Sequence, residues 1–446
     1  MERIKKGLSS RKIMLIWVLG MAGQICWNIE NQWFNTFIYA NIAPNSTIVN
    51  VMVGVSAIST TFATFLFGTM SDRLGTRKPF IAIGYILWGI FTIVYGATIF
   101  IPHSLVNYGM VAAILIVMAD AIMSFFGSMG NDAGFNGWLS DSLDKDNQAQ
   151  IGTALAVQPV LGTIVGTVLG GIIIVTLGYF WFFLIMGILV MIIGIISFFK
   201  VKDVAKLKPY KNGSFWHQFA IPFNFKKFIL MRELVWLNLL ITTFFIGFHV
   251  YFVHLGNIFI YNYGFSEAEF GYIEGAALLL GALMTIPTGY FIKKNKSPAI
   301  LFVTFLINIL GLLLLWVLGK SSDGVNILST ANIPLFLGLF LVGTGYITTM
   351  QVTMVWAKTL YPDESRGQFE GVRITFFVLF PMIIGPFIAN LIINQSEMLY
   401  SHDYGTGLVI GQVPTGTLFL VGAIITALAF IPLHFVTQHF NVRHSK

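Results

Sequence analysis

The chain has 446 residues, of which 56% are hydrophobic and only 10% are charged, and its mean hydropathy is +0.79. A soluble domain carries about 25% charged residues, so this composition excludes an ordinary soluble protein and indicates a surface that faces lipid. The single cysteine, Cys26, excludes a disulfide framework and a cysteine-based metal site.

Twelve apolar segments are each long enough to cross a bilayer, which takes about 20 residues. The hydropathy pattern predicts transmembrane helices at Ile13–Tyr39, Ile48–Met70, Phe80–Ile101, Tyr108–Trp138, Ile151–Leu177, Tyr179–Phe199, Leu234–Tyr261, Glu267–Ile292, Ala299–Leu318, Ile333–Leu360, Gln368–Ile393 and Pro414–Val436. The short basic segment before the first helix is expected to be a tail, because the apolar run after it is too long for a cleavable signal peptide.

Lysine and arginine residues are concentrated in the terminal tails and in alternate loops, whereas only Lys320 falls on the opposite side. The positive-inside rule therefore predicts that both termini are cytoplasmic, since an even number of spans returns the chain to its starting side. The formal net charge of +7 is explained by this topology, so no nucleic-acid partner is expected.

The turn between the second and third helices reads Gly68-Thr-Met-Ser-Asp72-Arg73-Leu-Gly75-Thr-Arg77-Lys78-Pro79. Its spacing, G-x-x-x-D-x-x-G-x-R-K, resembles the corresponding loop of major facilitator superfamily transporters. The resemblance implies an all-α membrane protein of two six-helix halves, with gating residues at Asp72, Arg73, Arg77 and Lys78. It further implies that Asp72 pairs across the two halves and latches the outward-open state, while the three cations anchor the loop at the anionic inner leaflet.

A basic connection, residues 200–233, divides the chain into an N-terminal half, residues 1–199, and a C-terminal half, residues 234–446. Its aromatic segment, residues 214–222, is predicted either to lie in the inner membrane interface or to be a simple tether.

A short repeat supports the division into halves. The sequence N-x-F-I-Y ends the first helix at Asn35–Tyr39 and recurs 222 positions later at Asn257–Tyr261, and the same offset takes Asp141 to Asp363. Two halves related by an axis along the membrane normal explain this offset and predict a substrate site between them near the midplane.

Four amides line one stripe of the first helix, about 60° wide and bordered by Trp27: Gln24, Asn28, Asn31 and Asn35. The stripe either holds helices together or lines a polar cavity. We favour a cavity, because amides beside an aromatic ring suit the hydroxyls and faces of a sugar. Glu30 points to a different face and is interpreted as an outer gate or a salt partner.

Further polar groups lie in later helices. Helix four carries Asp120 and Ser124 on one stripe and then Asp132 and Asn136, and a carboxylate at membrane depth predicts function by default. Helix seven offers His249 and Asn257 as substrate-binding candidates. Asp120, Asp132 and Glu274, early in helix eight, are the candidates for cation coupling, although Glu274 is equally a gating candidate.

Two patterns predict structure without chemistry. Gly162, Gly166 and Gly170 form a small-residue face in helix five that predicts close helix packing. The segment Ser266–Glu269 has the spacing of a capping box and predicts the start of helix eight. The sequence has no nucleotide-binding loop, metalloprotease motif or nucleophile elbow, so neither an enzyme nor a bound cofactor or metal is expected.

The helix-four segment Asn131-Asp132-Ala-Gly-Phe-Asn136-Gly-Trp138-Leu-Ser-Asp141 resembles the glycoside–pentoside–hexuronide cation symporters, the melibiose-carrier type. The resemblance implies that Asp132 binds sugar near a cation site, assisted by Asn28, Glu30 or Asn31. The aspartates of that family's second helix are replaced here by the hydroxyls of Ser56, Thr60 and Thr64.

These features predict a secondary active transporter that moves a sugar or glycoside, coupled to H⁺ or Na⁺. A proton-coupled exporter of drugs or amphiphiles is the main alternative, followed by a lipid transporter or a transporter-like sensor. The expected setting is a cytoplasmic membrane, with lipid as the surrounding partner, a monomer as the working form and a bacterial source.

Overall fold

The computed structural model describes residues 10–142, 148–204, 207–223, 225–318, 329–361, 372–404 and 407–444. Within these ranges, twelve helical spans are long and apolar enough to cross a membrane, which confirms the predicted number. The spans are α1 Ser10–Asn41, α2 Ser46–Leu74, α3 Lys78–Phe100, α4 Tyr108–Asp141, α5 Gln148–Leu177, α6 Tyr179–Lys200, α7 Arg232–Asn262, α8 Glu267–Ile292, α9 Ser297–Leu318, α10 Thr330–Leu360, α11 Val372–Ile393 and α12 Thr417–Arg443.

Local sequence explains several of the helix ends. Gly75 has a φ of +66° and Gly178 a φ of +86°, conformations that glycine adopts without strain, and they form the turns after α2 and α5. The predicted capping box begins α8: the Ser266 hydroxyl accepts from the Glu269 backbone N–H, and the Glu269 carboxylate accepts from the Ser266 backbone N–H. Lys320 and Asp363, which entered the topology and repeat arguments, lie outside the described residues.

The chain divides into two compact units. The first comprises Met1–Glu30, Ile58–Gly166 and Thr176–Phe219, and the second Asn31–Ala57, Thr167–Val175 and Ala220–Lys446. The divisions fall within α1, α2 and α5, so one part of each of these helices packs with the C-terminal elements. The half boundaries drawn from the sequence describe the order of the chain, and they stay a prediction.

Close helix contacts form the core of the first unit. A Cβ atom at Gly89 of α3 would lie 2.3 Å from the Gly187 carbonyl oxygen of α6, and one at Gly84 would lie 2.4 Å from the Gly130 Cα of α4. Glycine is therefore required where these backbones meet, as in other membrane helix interfaces. These contacts hold α4, which carries the candidate carboxylates, firmly against α3.

The second unit contains a β-hairpin that the sequence pattern did not predict, so the chain is mostly helical and not wholly α. Strands β1 Leu399–Asp403 and β2 Leu408–Gln412 pair antiparallel between α11 and α12. The hairpin lies against the end of α1: the Tyr404 hydroxyl donates to the Tyr39 carbonyl oxygen at 2.5 Å. The predicted topology places this contact on the outer side of the membrane.

Candidate functional site

Some residues of the polar stripe of α1 are buried by helix packing, and others are partly exposed. Asn28 and Asn35 are buried, whereas Gln24, Trp27 and Asn31 are half-buried. A Cβ atom at Gly162 of α5 would lie 2.4 Å from the Gln24 Cβ, and one at Gly166 would lie 2.4 Å from the Asn28 Oδ1. The predicted packing role of the α5 glycines is confirmed, and α1 is the helix that packs against them.

Gly170, the third member of that glycine face, also receives a side chain of α1. A Cβ atom there would lie 2.2 Å from the Trp33 indole Nε1. The Trp33 ring in turn meets the Phe270 ring of α8 edge-on, with centroids 6.0 Å apart. The sequence analysis did not single out Trp33.

The backbone of α4 changes its pitch at the most promising carboxylate. Residues Met129–Phe135 form a π-helical turn that contains Asn131 and Asp132. Such turns are rare in proteins, and those that exist are often found at functional sites. Gly130 and Gly134 lie within the turn and permit the close approach of α3. Asp132 is half-buried, so its side chain is only partly covered by protein.

A hydrogen-bond network holds the neighbour of Asp132. The Tyr85 hydroxyl of α3 lies 3.1 Å from Asn131 Oδ1 and 2.8 Å from the Leu19 carbonyl oxygen of α1. Asn131 Nδ2 lies 3.4 Å from Asp132 Oδ1. Three helices of the first unit therefore meet at this turn. One turn further along α3, the Trp88 ring packs against the Trp27 ring, with centroids 4.9 Å apart.

Asp120 belongs to a second, deeper group. It is 1% exposed, and twelve residues, about 18 Å of helix, separate it from Asp132. Glu30 of α1 is 6% exposed and accepts a hydrogen bond of 2.8 Å from the Ser124 hydroxyl, one turn from Asp120. Both carboxylates interact electrostatically with the buried Tyr95 phenol of α3.

The structure changes the interpretation of two residues, Glu30 and Asn136. Glu30 was placed on a separate face of α1, as a gate or salt partner, yet it joins the polar stripe of α4. Sequence reasoning missed the pairing because the rotation of α1 against α4 is set by packing. Asn136, predicted to bind substrate, is exposed at the far end of the π-helical turn.

The predicted residues of α7 lie in the second unit. His249 is buried, and its Nδ1 lies 2.8 Å from the Phe245 carbonyl oxygen of its own helix. The neighbouring His254, which is not among the candidates, is fully buried, with Nε2 3.0 Å from the Asn50 Oδ1 of α2. Asn257 donates to the Asn35 carbonyl oxygen at 3.4 Å. These contacts join the ends of α1 and α2 to α7.

Glu274 also joins helices within the second unit. It is buried, and its Oε1 accepts a hydrogen bond of 2.5 Å from Nε2 of Gln32 in α1. The Thr167 side chain of α5 also hydrogen-bonds to this carboxyl group. The partner of Glu274 was missed because Gln32 falls outside the amide stripe of α1. Its geometry links three helices and suits the predicted gating role.

The charged loop after α2 forms a cluster around Arg77, here called the inner gate cluster: Asp72, Arg77 and Asp141. Arg77 Nη2 lies 2.6 Å from Asp72 Oδ1, and Arg77 Nε lies 2.9 Å from Asp141 Oδ2. Arg77 Nη1 also donates to the Ser71 hydroxyl. Burial disfavours the Arg77 charge, but the bond to Asp141 and the charge of Asp72 outweigh it and raise the Arg77 pKa.

The expected lipid anchoring is therefore wrong for Arg77, which is buried among carboxylates and does not face headgroups. Arg73 is also occupied by protein, since its Nη1 donates to the Gly213 carbonyl oxygen at 3.1 Å and to Gln218 Oε1 at 3.2 Å. Lys78 Nζ lies 5.1 Å from the centroid of the Phe198 ring. The gating role of these residues stays a prediction.

Comparison with known proteins now identifies the architecture. The profile of the Major Facilitator Superfamily matches residues 16–386 and, separately, residues 262–445. This chain belongs to the major facilitator superfamily. It is therefore a multi-pass membrane transporter with the fold that the loop motif predicted. No curated protein matches this transporter in sequence.

A solved structure supports the same fold. The chain is similar to the crystal structure of a mutant of the nucleoside transporter NupG, with a TM-score of 0.68 over 95% of this chain and 99% of that chain. The two sequences are 11% identical. At this identity the likeness concerns the fold of the transporter and leaves its substrate undetermined.

Proposed function

We propose that this transporter moves a sugar or glycoside across the cytoplasmic membrane by alternating access, in symport with H⁺ or Na⁺. The observation that carries the proposal is the position of Asp132, half-buried on a π-helical turn beside Asn131. A carboxylate and an amide held side by side accept and donate hydrogen bonds, as neighbouring sugar hydroxyls require.

Two half-buried side chains of α1 in the same unit support this substrate class. Gln24 adds an amide, and Trp27 adds an indole face that packs with Trp88. Small-molecule sites typically combine an aromatic surface with a small number of polar groups that fix the orientation of the ligand. A sugar matches this chemistry, because it presents hydroxyls at its edge and C–H groups on its face.

We assign coupling to the group that contains Glu30 and Asp120, both of which are buried. A buried carboxylate is costly in a membrane protein, and a bound cation offsets that cost. The Ser124 hydroxyl donates to Glu30 and orients it. Asp120 lies on α4, the helix that also carries Asp132. A cation bound at Asp120 and a substrate bound at Asp132 therefore both act on this helix.

A nucleoside is the second candidate substrate. The similar NupG structure is that of a nucleoside transporter, and a nucleoside combines ribose hydroxyls with a flat apolar face. Both candidates would use the carboxylate and amide of the π-helical turn, so direct uptake measurements are needed to distinguish them.

The test is uptake into proteoliposomes that contain the purified full chain. The panel consists of a labelled α-galactoside, a pentoside, a hexuronide and a nucleoside, each measured with an imposed H⁺ gradient, an imposed Na⁺ gradient or neither. We expect one sugar to accumulate only when one of the gradients is present. Accumulation of the nucleoside alone would favour the second candidate, and extrusion of a cationic dye without uptake of any sugar would overturn the proposal in favour of export.

A further inference from the structure

The connection after α6 runs along the inner gate cluster. The Trp138 indole of α4 donates to the Lys202 carbonyl oxygen at 2.9 Å, and the Tyr210 backbone N–H donates to the Asp72 carbonyl oxygen at 2.8 Å. A Cβ atom at Gly75 would lie 2.6 Å from the Pro209 nitrogen. At these residues the connection is therefore packed against α4 and against the loop between α2 and α3.

One carboxylate in this stretch, Asp203, binds the loop directly. Its Oδ1 accepts hydrogen bonds from the backbone N–H groups of Arg77, at 2.7 Å, and Lys78, at 3.1 Å. Its Oδ2 accepts from the Thr76 hydroxyl at 2.6 Å. Charge-assisted bonds of this length are stronger than neutral ones. Three consecutive residues at the start of α3, Thr76 to Lys78, are thus held by one side chain.

The position of Asp203 explains how α3 begins. Arg77 is the N-cap residue of α3, and its side chain makes no capping bond, because a guanidinium group has no acceptor for a backbone N–H. The first backbone N–H groups of a helix need acceptors from outside the helix. A carboxylate is the favoured acceptor, since it also complements the positive end of the helix dipole. Asp203 supplies this acceptor from a segment 126 positions away.

We propose that Asp203 is a positioning residue of the inner gate. By holding the backbone of Arg77, it directs the guanidinium group to the point where it bridges Asp72 at the end of α2 and Asp141 at the end of α4. The inference rests on the alternating-access cycle of the proposed function, and it does not depend on which substrate is carried. Asp203 therefore controls how fast the gate opens, and substitutions of Asp203 leave the substrate affinity unchanged.

Substitutions at these three hydrogen bonds distinguish the geometry of the contact from the negative charge of Asp203. Asp203→Asn retains an oxygen for the two backbone N–H groups while it removes the negative charge. Asp203→Ala removes every bond, and Thr76→Val removes only the hydroxyl bond. Asp403→Ala is the matched control, because Asp403 also accepts a backbone N–H, from Gly407 at 3.1 Å, but lies on the hairpin.

The readout that needs no substrate is alkylation of a single thiol. A Cβ atom at Gly68 on α2 meets no atom within 4 Å, so Gly68→Cys fits, and Cys26→Ala removes the only native cysteine. Inside-out vesicles are treated with a membrane-impermeant maleimide. If the cluster holds the outward-open state, we expect Asp203→Ala to raise the alkylation rate at least threefold, Thr76→Val to raise it less, and Asp203→Asn and Asp403→Ala to stay within a factor of two.

The second readout is transport of the sugar identified by the uptake panel. We expect Asp203→Ala to lower the maximal rate at least fivefold with KM unchanged, and Asp203→Asn to restore it. An Asp203→Ala protein with wild-type alkylation and rate would overturn the proposal, and so would an Asp203→Asn protein as impaired as Asp203→Ala. Should no sugar be transported, the alkylation rates still decide the role of Asp203. If Asp203→Ala does not yield folded protein, Asp203→Ser carries the same test, because its shorter side chain with a single oxygen cannot hold all three donors, and wild-type alkylation in it would overturn the proposal.

Discussion

Asn257 donates a hydrogen bond from its side-chain nitrogen to the backbone carbonyl oxygen of Asn35, 3.4 Å away and 222 positions earlier in the chain. Tyr39 and Tyr261, separated by the same offset, have ring centroids 5.5 Å apart. Residues related by a two-fold repeat touch one another only close to the axis that relates them. The two N-x-F-I-Y segments therefore meet each other, as the predicted two-fold repeat requires close to its axis.

Asp132 is expected to bind the transported sugar. Asp132→Asn keeps the shape of the side chain but removes a charged hydrogen-bond acceptor, which is worth about 1.5–3 kcal/mol. We predict that KM for the transported sugar rises by about 10- to 100-fold, measured as initial uptake into proteoliposomes. Asp403→Asn on the exposed hairpin is the control, and wild-type uptake by Asp132→Asn would remove Asp132 from the site.

Asp120 is expected to couple transport to the ion gradient. Asp120→Asn removes one of the two buried carboxylates of the deeper group, so the coupling cation loses its binding partner. We predict that gradient-driven accumulation falls at least tenfold while exchange of labelled for unlabelled sugar continues. Loss of exchange and accumulation together, in protein that remains folded, would show that Asp120 serves substrate binding instead.

The bond between Gln32 and Glu274 is expected to tolerate reversal. Gln32→Glu places a second carboxylate against Glu274 in a buried site, which costs several kcal/mol unless one group is neutralised. We predict a lower thermal unfolding temperature for Gln32→Glu and recovery in the double variant Gln32→Glu with Glu274→Gln, in which donor and acceptor exchange places. The coupling energy between contacting residues is about 0.5–3 kcal/mol. A double variant as unstable as Gln32→Glu would show that the pair does not join α1 to α8.

Two glycines of the same loop motif are expected to respond in opposite ways. Gly75 has a φ of +66° and lies against Pro209, so Gly75→Ala forces strain and a backbone clash. We predict a loss of about 1–3 kcal/mol of stability. Gly68 lies within α2 with open space around its Cα, so Gly68→Ala is expected to be neutral or to stabilise by up to about 1 kcal/mol. Thermal unfolding in detergent measures both, and equal effects would contradict the backbone argument.

The sequence alone determined the class of this protein and its superfamily. The hydropathy pattern predicted a membrane protein with twelve spans, and the loop motif indicated the superfamily. These properties follow from composition and local spacing, because every transmembrane helix must satisfy its backbone internally and present apolar side chains to lipid. Local signals also located the capping box at Ser266 and the glycine face of α5, since each depends on residues a few positions apart.

The tertiary structure decided which polar groups meet. It paired Glu30 with Ser124 of α4, Gln32 with Glu274, and Asp203 with the start of α3. None of these pairs has a local signature, because the rotation of one helix against another is set by packing over the whole interface. The π-helical turn at Asp132 likewise became visible only in the structure, where α3 approaches Gly130 and Gly134. The helices and their order could be predicted from the sequence, but the partners of the buried charges could not, because those partners are distant in the chain.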